Sequence, residues 1–293
     1  MMKQKLRNGT LIEQKNGQDR ILEILYGTAT GRLVLKPLTV PLVSKMVGSF
    51  LSTPFSCILI DPFIKKNNID MTQYKPVKYK SYNEFFTRKI KEKLRPVDTN
   101  PMHFISPCDS KLTVLPVTKD ARFTLKHTSY TVASLLKNEK LAKEYEGGYA
   151  MIFRLTVDDY HRYCYVADGV KENNVFIPGV LHTVNPLAND YFPIYKENCR
   201  EYSILHTKEF DDIVMMEVGA LLVGKIVNHH KKCCVLRGQE KGYFEFGGST
   251  VVLLVKKNTV QIDTDILENS AEGIETVVKF GEKIGEAFLL GRM

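Results

Sequence analysis

From residue 105 to the C-terminus the chain is cut into short runs rich in Val, Ile, Leu, Tyr and Phe, separated by Gly, Pro, Asn and Asp. The runs include "KLTVLPV", "YAMIFRLTV", "HRYCYVADG", "GVLHTV", "EYSILHT", "IVMMEVGALLVGKIV", "CCVLRG" and "STVVLLVKK". Runs of this length and β-branched content suit a pleated, half-buried surface, so each is predicted to be a strand. One helical interruption is predicted over residues 132–144. Many short strands with few helices define an α+β protein whose body is a mostly antiparallel β sandwich or barrel-like sheet.

The N-terminal part has a different texture. Residues 20–65 make helical local choices, with Ile21, Leu22, Ile24 and Leu25 grouped for one face. Within them, Leu38 to Ile60 carries a single charge, Lys45, and approaches the roughly 20 apolar residues of a spanning helix. Pro41, Gly48 and Pro54 interrupt it, so a continuous transmembrane helix is not expected. Two readings stay open, a pair of buried helices and an interfacial hairpin lying on lipid. The flanking bases Arg20, Arg32, Lys36, Lys65 and Lys66 lift the lipid reading, because anionic headgroups attract such residues, and serve equally as a solvated face. Residues 82–95, "YNEFFTRKIKEKLR", are predicted to form an amphipathic helix closed by Pro96. The expected division is a helical, membrane-associating segment over 1–65 and a β-rich catalytic domain over 66–293.

Charge narrows the partners. With 41 Lys and Arg against 33 Asp and Glu, the net charge is +8, which favours an anionic partner. The basic residues form no aromatic-interleaved stripe, so nucleic acid is not expected. The six cysteines show no framework spacing, which points to a reducing compartment. No apolar core with a small-residue cleavage site follows the basic N-terminus, so a secretory signal is not expected. "NHHKKCCVLRG" matches no usual zinc pattern, and no metal is expected there or elsewhere.

Three stretches carry candidate chemistry. In "FEFGGSTVVLL" an apolar strand is interrupted by Gly247, Gly248, Ser249 and Thr250. The bland reading is a hairpin turn. The chemical one is that Gly248 leaves a peptide carbonyl unshielded beside the Ser249 hydroxyl, which can attack it and convert the amide to an ester. "LTVDDYHRYCY" sets His161 among Asp158, Asp159 and Arg162, and a proton acceptor near neutral pKa suits both serine attack and α-proton removal. "ISPCDSKLTV" places Asp109 before a strand, where a partly buried carboxylate would orient an imidazole.

Together, "FFTRKIKEKLRPVD", "SPCDSKLTV", "DDYHRY", "VNPLA", "VGALLVGKI" and "GQEKGYFEFGGSTVVLL" resemble the phosphatidylserine decarboxylase family and stand in that family's order, from about Phe85 to Val255. Residues 11–60 resemble its shorter bacterial and clostridial branch. The resemblance implies a zymogen that cleaves itself at Gly248-Ser249 and turns Ser249 into a covalent pyruvoyl group, the electron sink for decarboxylation. It carries the charge relay over to Asp109, His161 and Ser249. Some members have a second His where this chain has Cys164; His182 is a reserve candidate. It also implies a phosphatidylserine substrate, a β chain (1–248) held with an α chain (249–293), a peripheral position on the cytoplasmic face of the cell membrane, and a homodimer. Two other readings remain open: a pyruvoyl enzyme acting on a soluble amino acid, and a non-enzymatic β-domain whose Gly-Gly-Ser-Thr is only a turn.

Overall fold

The computed structural model describes residues 2–14, 24–125, 128–184, 191–220, 225–246 and 249–288. Strands are numbered in chain order. The main sheet runs β14 (Cys233–Val235), β9 (Gly169–Lys171), β11 (Arg200–His206), β12 (Asp212–Val218), β16 (Ser249–Val255), β7 (Tyr149–Leu155), β4 (Ser110–Pro116), β18 (Glu275–Val278), β1 (Met2–Leu6) and β2 (Leu11–Gln14), with β10 (Val175–Ile177) also on β11. Its pairings are antiparallel except β1 on β18. Three smaller sheets lie beside it: β13 (Ile226–Asn228), β15 (Glu240–Phe244) and β8 (Arg162–Cys164); β17 (Val260–Ile262), β19 (Lys283–Ala287) and β3 (His103–Ile105); β5 (Arg122–Leu125) and β6 (Thr128–Thr131). The α+β, mostly antiparallel body read from the sequence is present, as a layered open sheet.

β16 is the centre of the fold. Its seven residues are all buried; Val251, Leu253 and Val255 enter the core on one face of the sheet, Val252 and Leu254 the core on the other. A strand covered on both faces reads as a continuous apolar run, which is why "STVVLLV" was legible as core. β16 lies between β12 and β7, and β18 between β4 and β1. Residues after 249 therefore supply two strands of a sheet whose neighbouring strands come from before 249. Arg7 adds a 2.7 Å ion pair to Asp263, and Arg154 Nε a 2.7 Å bond to Glu275.

The structure differs from the expected elements at four places. Residues 2–14 form the hairpin β1–β2 on the main sheet, so the segment expected to be helical from residue 1 begins with two strands. The expected helix over 82–95 stops at Phe86, because the Thr87 carbonyl accepts from Arg162 Nε (2.9 Å) and Nη2 (2.7 Å) and the chain turns to bridge Ile90 with Tyr74. The helix expected over 132–144 is two, Val132–Leu136 and Glu139–Lys143, broken where Lys137 is left-handed (φ 52°) and Asn138 caps the second. "GVLHTV" makes only an isolated bridge, Val180 to Asn198.

Next to β16 lies a fully buried ion pair. Lys241 Nζ sits 2.7 Å from Glu217, and Asn228 donates to Glu217 (3.0 Å) while accepting from Lys241 (2.8 Å). Removing one member strands the other without water. Lys241→Ala is therefore expected to cost about 3–5 kcal/mol in denaturant unfolding, whereas a cost under about 1 kcal/mol would show that the pair is solvated.

Candidate active site

Ser249 opens β16 opposite Leu155, the last residue of β7, and is fully buried. Beyond Leu155 the chain makes a tight turn, Thr156 to His161, before entering β8. This turn folds the imidazole back onto the serine: His161 Nδ1 lies 3.3 Å from Ser249 Oγ. That is longer than a formed hydroxyl bond of ~2.8 Å, as is common for catalytic pairs before substrate or transition state tightens them. From the other side, Phe244 N donates to the His161 carbonyl at 3.0 Å. The end of β15 therefore lies beside this histidine. Gly247 and Gly248 lie outside the described residues.

The tautomer follows from the second ring nitrogen. His161 Nε2 is 3.0 Å from the Thr156 carbonyl, which can only accept, so Nε2 carries the proton and Nδ1 presents its lone pair to Ser249. The ring is buried under Phe86 (centroids 4.2 Å apart), which packs with Tyr82 and Phe246. Burial pushes the His161 pKa down to about 3; Asp159 opposes the shift, and Arg88 and Lys111 add to it. The imidazole is thus neutral at physiological pH and a weaker base than the near-neutral group expected from sequence.

The carboxylate that organises this turn is Asp159, not Asp109. Asp159 Oδ2 accepts from Lys111 Nζ (2.6 Å), Thr156 N (2.7 Å) and Thr156 Oγ1 (2.8 Å), and Lys111 also donates to Thr156 Oγ1 (2.6 Å). Burial raises its pKa, but Lys111 and the hydrogen bonds prevail and hold the carboxyl below its ordinary value. Asp109, also buried, is engaged elsewhere: it accepts from Arg95 Nη2 (2.6 Å) and Nε (2.8 Å) and from Phe280 N (2.9 Å). Among the described contacts it makes no hydrogen bond to His161, so the orienting contact expected of it is not among those the structure describes. Asp109 instead anchors the start of β4, from which Lys111 reaches Asp159.

Cys164, at the possible second-histidine position, points into the core with Sγ 4.0 Å from the Ser106 carbonyl, and burial pushes its thiol pKa up. His182 stacks on Phe192 (4.6 Å) near Tyr26, and burial lowers its pKa. Among the described contacts neither touches Ser249 or His161. In "NHHKKCCVLRG", His229 pairs with Glu240 at 2.7 Å and Cys233 enters β14, and no described cluster of three or more His, Cys, Asp or Glu could hold a metal ion. Sequence reading missed Thr156, Lys111, Phe86 and Arg95. The available signal was the Thr-x-x-Asp spacing before His161, which favours a side-chain-capped turn.

Residues 82–286 match the family model for phosphatidylserine decarboxylase. The chain is 49% identical over 275 residues to phosphatidylserine decarboxylase proenzyme 2 of Clostridium acetobutylicum, covering 94% of this chain and 93% of that protein. It is 41% identical over 247 residues to a Clostridium botulinum phosphatidylserine decarboxylase proenzyme, covering 83% and 84%. Over 280 residues it is 40% identical to the Ruminiclostridium cellulolyticum proenzyme, covering 94% and 93%. The chain is an enzyme, a decarboxylase. It belongs to the phosphatidylserine decarboxylase family.

Proposed function

We propose that this protein is a self-processing, pyruvoyl-dependent decarboxylase that converts phosphatidylserine to phosphatidylethanolamine and CO₂ at a membrane surface. The observation that carries the reading is the buried Ser249 hydroxyl facing the bare nitrogen of a neutral His161, in a chain of this family. In maturation His161 takes the hydroxyl proton, the oxygen adds to the Gly248 carbonyl, and the amide nitrogen leaves as the ester forms. Removal of the Ser249 α-proton then breaks the Cβ–O bond. Gly248 departs as a carboxylate, residue 249 is left as dehydroalanine, and water expels ammonia to give the pyruvoyl end. Asp109 supports this centre indirectly, by pinning β4.

The site fits such a group, since its precursor serine begins a fully buried strand under an aromatic roof. When formed, the group supplies a ketone that captures the substrate amine and takes up the electron pair released with CO₂. The residues around it exclude water through Phe86, Tyr82 and Phe246, and His161 is placed to return a proton to the product carbon. The β chain (1–248) and α chain (249–293) stay together because β16 and β18 are interleaved with strands of the longer piece. With the protein supplied with phosphatidylserine vesicles or with free serine, CO₂ is expected from the lipid alone; release from serine alone would favour a soluble-substrate enzyme.

The helices preceding the β body support the membrane surface as the place of work. Among the described residues no single helix is long and apolar enough to cross a membrane. The helix Pro41–Leu51 turns Leu42, Met46 and Phe50 outward at helical spacing, while Leu51 is buried and Val47 packs inward. Phe55 and Ile58 follow at 83% and 78% exposed, with Lys45 and Lys36 on the same block. An apolar stripe facing away from the core, flanked by bases, is the pattern of an interfacial segment. The inner face of these helices packs on Tyr82 and Phe85 near Phe246, so the lipid-facing layer also roofs the reaction centre. A peripheral position on the cytoplasmic face of the cell membrane is part of this proposal. Phe55→Ser with Ile58→Ser is expected to weaken sedimentation with anionic vesicles by at least about tenfold, each side chain being worth about 1.5–3 kcal/mol when fully buried. Unchanged sedimentation would remove this surface from the proposal.

A further inference from the structure

Ser249 can give its proton to His161 only if the imidazolium that forms is stabilised in a site closed to water. Groups from three elements bear on that charge. Arg88, just beyond the helix Tyr82–Phe86, is buried over the Tyr74 ring (4.3 Å). Lys111 reaches in from β4, and Asp159 stands in the turn itself. Two of the three are cations and oppose the imidazolium; Asp159 is the anion among them. It is also joined to the ring by a short path, since Thr156 donates its N–H and hydroxyl to Asp159 and offers its carbonyl to His161 Nε2. The same turn therefore selects the tautomer and holds the counter-charge.

We propose that Asp159, gripped by Lys111 and Thr156, is the positioning residue and counter-charge for His161 in self-cleavage, the part that the family resemblance would give to Asp109. The inference rests on the maturation scheme proposed above. As the Ser249 proton moves to Nδ1, the positive charge spreads over the ring, Nε2–H shortens its bond to the Thr156 carbonyl, and the Asp159 charge stabilises the cation. Lys111 keeps Asp159 ionised in a buried site but subtracts from its field at the ring. Asp159 and Lys111 are thus opposed in charge effect while cooperating in holding the turn.

That opposition provides the test. Full-length wild type, Asp159→Asn, and Asp159→Asn with Lys111→Met are synthesised, and cleavage of the soluble, trypsin-resistant fraction is followed on a denaturing gel. Asp159→Asn keeps an oxygen for Thr156 but removes the anion and leaves Lys111 as an unopposed cation. Cleavage is expected to slow about 100-fold, the lower end of the range of general-base contributions. Adding Lys111→Met removes the unopposed cation, so the double variant is expected to cleave faster than Asp159→Asn and still about tenfold slower than wild type. A purely structural turn predicts the reverse order, because the double variant loses further hydrogen bonds. Cleavage of Asp159→Asn at the wild-type rate, or a double variant no faster than the single one, overturns the proposal. Should Asp159→Asn give no protected fraction, the double variant decides alone, and a rate within about threefold of wild type overturns it. Ser249→Ala run alongside separates the two levels: cleavage in that control sinks the maturation scheme itself.

Discussion

Ser249→Ala is expected to yield a single full-length chain without decarboxylase activity, while the wild-type protein gives two pieces that remain together until denatured. The reason is chemical. Alanine at 249 has no oxygen to attack the Gly248 carbonyl and none whose departure would leave a double bond at residue 249. The fold should tolerate the change, because the serine begins a strand whose seven residues are buried and whose remaining side chains are untouched. The expected effect is loss of all cleavage on a denaturing gel, with activity on phosphatidylserine vesicles falling to background. Two bands with a break at residue 249 in this variant would mean that another group breaks the peptide.

His161→Gln is expected to slow cleavage by about 10²–10⁴-fold, the span that a positioned general base contributes. It should also change how stability depends on pH. His161 is held neutral in the folded chain to about pH 3, against an ordinary value of 6.5. Between those limits the unfolded chain takes up a proton that the folded chain refuses, so stability present above about pH 6.5 is lost progressively toward pH 3. Compared in a Ser249→Ala background, where every chain is intact, His161→Gln should show a shallower loss of denaturant midpoint from pH 7 to pH 4. Equal slopes would indicate that the folded protein lets His161 ionise.

The strand body, the central position of residues 249–255 and the pairing of Ser249 with His161 could be read from the chain, because each leaves a local mark. A continuous apolar run reports a strand covered on both sides, and Gly-Gly-Ser-Thr inside it reports an exception that needs a cause. The partner of Asp109 left no such mark. Arg95 lies 14 residues away, and Phe280, 171 residues away, comes to the same carboxylate through the pairing of β4 with β18. The strand Met2–Leu6 was hidden in a similar way: "MKQKL" is apolar only at its two ends and too short to declare itself without its parallel neighbour β18. For the helix Pro41–Leu51 the apolar period was visible, but which side faces outward depended on where Val47 and Leu51 meet Tyr82. Asp159 stands in plain view two residues before His161, yet its role is invisible in the chain because it depends on Lys111 arriving from another strand.

Intact mass measurement of the purified protein under denaturing conditions tests the central claim most directly. The account predicts two species: residues 1–248 ending in a free carboxylate, and residues 249–293 lighter by one ammonia than the same piece produced by hydrolysis. A single uncleaved chain in protein that decarboxylates phosphatidylserine, or a small piece beginning with an unmodified serine, would contradict it.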